Sequence, residues 1–194
     1  METVEAPSLA SVRSDPSAAN AGVARALELR NGRLVTLRAA RREDIPAVQR
    51  FVRGLSFESR RNRFFAPLRE LTRDQLDRMT RSRPPDEVSL VGETTEDADS
   101  RIVAMGQYAT CEPTDAEVAV VVDDAWQRQS LGTQLLRFLA ELGARSGLAV
   151  LSGFVLADNR PMLALLTRLG YEFSSDDDPR LVRVAKPLLP LGCP

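Results

Sequence analysis

Residues 116–122 read AEVAVVV, and the valine run that ends them needs cover on both faces, as in the interior of a sheet. A polar stretch, WQRQSLGTQLL, follows, and Leu131, Leu135, Phe138, Leu139 and Leu142 then recur at helical spacing until Gly147 stops the pattern. Residues 150–156 make a second buried-looking strand. A central strand, a short turn and a one-faced helix constrain the chain strongly. The helix must pack back on the sheet, which aims its N-terminus at the C-terminal edge of the first strand.

The rest of the chain fits around that unit. Residues 33–38 alternate polar and apolar and read as a first strand. Asp44 and Pro46 then open a helix carrying Val48, Phe51, Val52 and Leu55. Residues 56–71 are mixed and arginine-rich, with Phe57, Phe64 and Phe65 as expected core anchors. Thr72 caps a further short helix that ends before Pro84-Pro85. Strands at 87–93 and 102–110 flank an acidic turn at 94–100, a hairpin pattern. A helix over 159–169 is closed by Gly170, and residues 171–173 and 181–186 form a last strand pair. The order β-α-α-β-β-β-α-β-α-β-β predicts one α/β domain with a mixed sheet, antiparallel early and parallel between the strands at 116–122 and 150–156. Residues 1–27, rich in Ala, Ser and Pro, read as a mobile N-terminal tail, 28–187 as the domain and 188–194 as a C-terminal tail.

Composition removes much chemistry. The 194 residues contain no histidine, which excludes Ser-His and Cys-His nucleophile systems and imidazole bases, and leaves few ways to hold zinc. Cys111 and Cys193 make neither a disulfide framework nor a metal spacing, so no metal is expected. A net charge of -1 with interspersed signs gives no nucleic-acid surface. No apolar run approaches the roughly 18–20 residues of a membrane span, and a cytoplasmic protein is expected. Neither a Walker loop nor a dinucleotide fingerprint is present. The turn at 126–136 reads either as a plain connection or as a phosphate cradle of backbone amides. Glu117 reads as an outward-facing sheet residue or as a functional carboxylate, and Asn159 as a helix cap followed by Pro161. Tyr108, Tyr171 and Cys111 read as core residues, and Arg60, Arg61 and Arg63 as a solvated face.

Taken together, the valine strand, the Gln127-x-x-Ser130-x-Gly132 turn, the apolar helix and the Asn159 helix ending in Leu169-Gly170-Tyr171 resemble the GNAT acetyltransferase superfamily. The family turn is Q/R-x-x-G-x-G/A, and Ser130 stands at its first glycine. Three segments, VRGLSFESRRNRFFAPLRELT, AEVAVVVDDAWQRQSLGTQLL and LADNRPMLALLTRLGYEF, are similar to the acetyltransferase domain of bacterial Pat-type protein-lysine acetyltransferases. The resemblance implies a single GNAT-like domain with a splayed parallel strand pair and flanking helices. It implies acetyl-CoA as co-substrate, with its pyrophosphate on the turn formed by Gln127, Arg128, Gln129, Ser130, Leu131, Gly132 and Thr133. Its pantetheine arm would lie along Val120, Val121 and Val122, with Asn159 in contact. Glu117 matches the family's general base, and Leu166 stands where many members carry a tyrosine acid. The implied reaction is acetyl transfer to a primary amine, first of all a protein lysine side chain. A small-molecule amine and a non-catalytic acyl-CoA-binding module are the alternatives, and a homodimer is a candidate assembly. The loop Asp176-Asp177-Asp178 would lie near the acceptor mouth or form a solvated hairpin tip.

Overall fold

The computed structural model describes residues 23–95 and 100–188. Of the expected tails at 1–27 and 188–194, residues 1–22 and 189–194, with Cys193, lie outside them, as do the acidic turn residues 96–99. Eight strands form one sheet in the order β1-β2-β3-β4-β5-β6-β8-β7. They are β1 (Ala24–Glu28), β2 (Leu34–Ala39), β3 (Glu87–Thr94), β4 (Arg101–Glu112), β5 (Asp115–Val122), β6 (Val150–Leu156), β7 (Glu172–Ser175) and β8 (Leu181–Pro187). The helices are α1 (Ile45–Gly54), α2 (Phe57–Phe64), α3 (Arg73–Met79), α4 (Leu131–Arg145) and α5 (Arg160–Arg168). Every neighbouring pair is antiparallel except β5 and β6, which are parallel, as a crossover through α4 requires. No described helix is long and apolar enough to cross a membrane.

Alternation along the strands divides the core into layers. On one face, Leu135, Phe138 and Leu139 of α4 pack with Leu37, Leu90 and Tyr108. Gly106 permits this approach, since a Cβ there would stand 2.9 Å from Leu135 and Leu139 carbons. On the other face, α1 and α3 bury Val48, Val52, Leu76 and Met79 against Val91, Met105 and Val121. Beneath α5, Leu136, Val155, Leu166, Tyr171 and Val184 form a third cluster. Thr72 and Gln75 close a reciprocal capping box on α3. Asp44 precedes α1 as expected, but its carboxylate turns back to accept from Arg38 and from the Arg41 amide instead of capping the helix.

Several expectations change. A strand, β1, occupies Ala24–Glu28 and pairs with β2, so its first four residues belong to the sheet and not to the expected tail. Arg25 holds it to α4 by donating to Glu141 and lying 4.1 Å over the Phe138 ring. Residues 57–64 form a helix, α2, where the sequence shows no periodic apolar face. Phe57 and Phe65 are exposed, and only Phe64 packs against the core. Cys111 is exposed near the end of β4. Tyr171 is buried, yet it precedes β7 instead of lying in it.

Candidate active site

β5 and β6 separate almost as soon as they meet. Their register runs Asp115↔Val150, Ala116↔Leu151, Glu117↔Ser152 and goes no further. At the parting point the backbones nearly touch, because a Cβ on Gly153 would lie 2.9 Å from the Val118 carbonyl oxygen. That contact shows that Val118 directs its backbone groups toward β6. By strand alternation Val120 and Val122 do the same, while the amide of Asp123 donates back to Val103 of β4. Beyond Val118 the polar edge of β5 therefore opens into a cleft of about 530 Å³. Its walls include Val118, Val120, Gly153, Val155, Leu165 and Tyr171.

The far end of β5 leads into the turn that the sequence left ambiguous. A single 3-10 turn, Asp124–Trp126, follows the strand, and Trp126 is fully buried beneath the Arg33 guanidinium, 3.3 Å from its ring centre. Arg128 and Ser130 then both adopt left-handed backbone, with φ of 60° and 75°. Left-handed residues at this spacing are of the kind that turn successive N–H groups to one side, as in anion-binding nests. None of the backbone N–H groups from Arg128 to Thr133 has an acceptor among the described residues, and the first helical bond runs from Gln134 to Ser130. With the positive end of the α4 dipole behind them, these amides are disposed to hold phosphate. Arg30 and Arg128 add cationic side chains at this end of the cleft.

The positive φ at Ser130 is the physical reason for glycine in the family turn, because only glycine is unstrained there. Gly132 has neither positive φ nor a crowded site, since its Cβ would meet Leu165 and Val122 at ordinary distances of 3.7 and 3.8 Å. The Ser130 hydroxyl makes no cap bond to the helix. Two of the anticipated contacts do not reach the cleft as side chains, because Leu131 is buried in the core and Gln129 does not line the opening. The amide of Gln127 is already donated to Asp124 O at 3.4 Å. Its side chain serves structure, with Nε2 donating to Ser59 Oγ and to Val122 O, both at 3.1 Å.

Those bonds belong to a network that seats α2 along β5. Asp124 accepts from the amide and hydroxyl of Ser56, at 2.8 and 2.7 Å, and from the Ser59 hydroxyl at 2.7 Å. Burial disfavours its charge, but these donors outweigh it and hold its pKa below the usual range. Seated this way, α2 brings Arg63 into the cleft beside Glu117, where a solvated arginine was expected. Arg61 pairs with Asp158, just ahead of α5. Glu117, the last residue of β5 paired with β6, lines the cleft with its side chain exposed. Asn159 lines the same cleft and caps α5, accepting from the Met162 amide at 3.3 Å. Leu166 is buried in the wall. Near it Tyr171 buries a hydroxyl without a partner, and burial pushes its pKa up to about 12. Asp176, Asp177 and Asp178 do not line the cleft, and Asp178 is engaged by Arg180 instead.

The Acetyltransferase (GNAT) family matches residues 54–171, more than half of the chain. The chain belongs to the GNAT acetyltransferase family. This GNAT protein is 30% identical over 151 residues to Acetyltransferase PA5475 of Pseudomonas aeruginosa PAO1, a match covering 77% of this chain and 81% of that one. Among solved structures, the GNAT domain of Streptomyces lividans PAT superposes with a TM-score of 0.79 at 25% identity, over 85% of this chain and 97% of that domain. YncA of Salmonella typhimurium, solved with its cofactor acetyl-CoA, shares the fold with a TM-score of 0.61 at 18% identity, over 82% of this chain and 99% of that one. Acetyl-CoA is the co-substrate of a GNAT acetyltransferase, and the residues present fit it. The open amides from Arg128 to Thr133 suit a pyrophosphate, and the unpaired edge at Val120 suits an extended amide-bearing arm.

Proposed function

We propose that this GNAT acetyltransferase transfers the acetyl group of acetyl-CoA to a primary amine by direct attack, with Glu117 as the general base. A protein lysine side chain is the acceptor suggested by the similarity of three segments to Pat-type protein-lysine acetyltransferases. The observation that carries the reading is the end of the β5–β6 ladder at Glu117. A carboxylate stands where the gap opens, and the phosphate-ready turn stands at the other end of the same strand.

Acetyl-CoA supplies a thioester carbonyl that an unprotonated amine can attack. Backbone amides from Arg128 to Thr133 would hold its pyrophosphate, the Val120–Val122 edge would align its arm, and Asn159 would contact it from α5. A lysine amine has a pKa of about 10.4, so at neutral pH it arrives protonated. Glu117 would take that proton, directly or through a water, as the nitrogen–carbon bond forms. The Val120 N–H, directed into the gap, would stabilise charge on the carbonyl oxygen. The departing thiol has a pKa near 8.5 and leaves acceptably as thiolate, consistent with an apolar Leu166 in the wall.

Acetyl-CoA turnover with a panel of peptide and small-molecule amines tests the reading. Glu117→Gln is expected to lower kcat by roughly 10²–10⁴-fold while acetyl-CoA affinity stays near wild type. Wild-type turnover in that variant would remove Glu117 from the role.

A further inference from the structure

Glu58, Arg63 and Arg168 line the cleft without a part in the acyl-transfer scheme, and of these Arg63 is the one whose charge is coupled to Glu117. Arg63 lies one helical turn beyond Ser59 on α2, so the two share the helix face turned to β5. Ser59 meets the turn through Gln127, whereas Arg63 meets Glu117. The Arg63 Nε is buried and has no hydrogen-bond partner. Burial draws its pKa down to about 10 against the opposing pull of Glu117, so the side chain remains a cation at neutral pH. The two groups sense each other's charge but close no ion pair among the described residues. The side chain is half-buried, with its guanidinium 5.1 Å from the Phe64 ring centre and no carboxylate closing on it, and its planar fork matches a carboxylate in bidentate fashion. Arg30 and Arg128 stand by the phosphate turn and do not supply this contact.

Resting on the reading of Glu117 as the base that meets the acceptor amine, we propose that Arg63 binds a carboxylate carried close to that amine. The acceptor is then an amino carboxylate: a free α-amino acid, or a peptide lysine with an acidic neighbour. Its ammonium turns to Glu117 and its carboxylate to Arg63. A polyamine, with a second cation in place of the carboxylate, meets repulsion from Arg63.

The test measures kcat/KM for CoA release with matched acceptors. One arm compares an α-amino acid with its carboxamide, and the other compares Lys-Asp with Lys-Asn peptides. The carboxylate member of at least one pair is expected to be favoured by roughly 10-fold or more, the size of one charge-assisted contact. The arm that shows the preference names the source. In Arg63→Gln the ratio should fall to about one, and in Arg63→Lys it should be partly retained, with acetyl-CoA binding confirming that both variants are folded. Turnover with ratios near one in the wild-type protein, or a ratio unchanged in Arg63→Gln, overturns the role of Arg63 and leaves the transferase reading standing. Acetyl-CoA binding without transfer to any amine overturns both.

Discussion

Arg61 donates through both terminal nitrogens to Asp158, at 3.3 and 2.9 Å, joining α2 to the turn that precedes α5. The link runs from the helix beside β5 to the turn after β6, next to Asn62 and Asn159, which line the cleft. Both side chains are well exposed, so the pair adds little to global stability and weakens with salt. Its effect should be on access. Arg61→Gln is expected to leave the melting temperature close to wild type and to raise the acetyl-CoA dissociation rate in stopped-flow measurements at low salt. An unchanged dissociation rate would show that the link does not hold the cleft.

At Gly153, the Cβ of an alanine would collide with a backbone oxygen, which cannot rotate away as a side chain can. Gly153→Ala should force β6 away from Val118, lowering the melting temperature by several degrees and weakening acetyl-CoA binding together with it. Calorimetry of the two quantities checks that they fall as a pair.

Ser130 offers a paired comparison. Ser130→Gly relieves a left-handed residue, worth about 1–2 kcal/mol, at a chain-entropy cost of about 0.5–1 kcal/mol, for a net gain of about 0.5 kcal/mol. Ser130→Ala keeps the strain and deletes the hydroxyl. If that hydroxyl donates to phosphate, only the alanine variant combines unchanged strain with weaker acetyl-CoA binding by titration calorimetry.

The Asp124 carboxylate is held below its usual pKa by the Ser56 and Ser59 donors, against the cost of burial. Stability from this group is present above the unfolded-state pKa near 3.9 and is lost as pH falls through the lower folded value. Asp124→Asn should flatten the acid side of the stability curve, as read by urea melts between pH 2 and about 5. An unchanged acid limb in the variant contradicts the assignment.

At alkaline pH one contributing group is Tyr171. Its phenol is buried, without a partner, and pushed up to about 12, so the folded chain keeps a proton that the unfolded chain loses from about pH 10. Its contribution is complete below about pH 10 and is lost up to about pH 12, at about 1.4 kcal/mol per pH unit. Tyr171→Phe should make that decline shallower, leaving the part due to Tyr108, whose pKa burial also raises. It should also match or exceed wild-type stability at neutral pH, because it deletes a buried hydroxyl with no partner.

The strand–turn–helix unit at the centre of the site was legible because each part carries its own signal. AEVAVVV is apolar enough to be interior, α4 has a complete apolar face, and α5 has Asn159 and Pro161 at its start. β1 was not legible, since of its ARALE residues only Leu27 is buried and its place depends on Arg25 reaching α4. Helix α2 was missed for a related reason. FESRRNRF has almost no apolar periodicity, and the helix is fixed by polar bonds from Ser56 and Ser59 to Asp124, 65 or more residues away. Without α2 in place, Arg63 reads as one arginine among several, and nothing local distinguishes it. The ambiguity of Glu117 has the same origin. Whether a carboxylate on a strand faces water or a cleft depends on where the neighbouring strand stops pairing, and Gly153 alone hints at that position.

The sequence contains a single lysine, Lys186 on β8, and its ammonium donates to the carbonyl of Leu169 at the end of α5. An enzyme built to modify amines thus carries arginine almost everywhere else that it needs a positive charge. Guanidinium groups are inert to thioesters under conditions in which free amines react, and the one side-chain amine is occupied at a helix end. The protein's own side chains are thereby a poor target for the reaction in its cleft, and prolonged exposure to acetyl-CoA should leave their charge pattern intact.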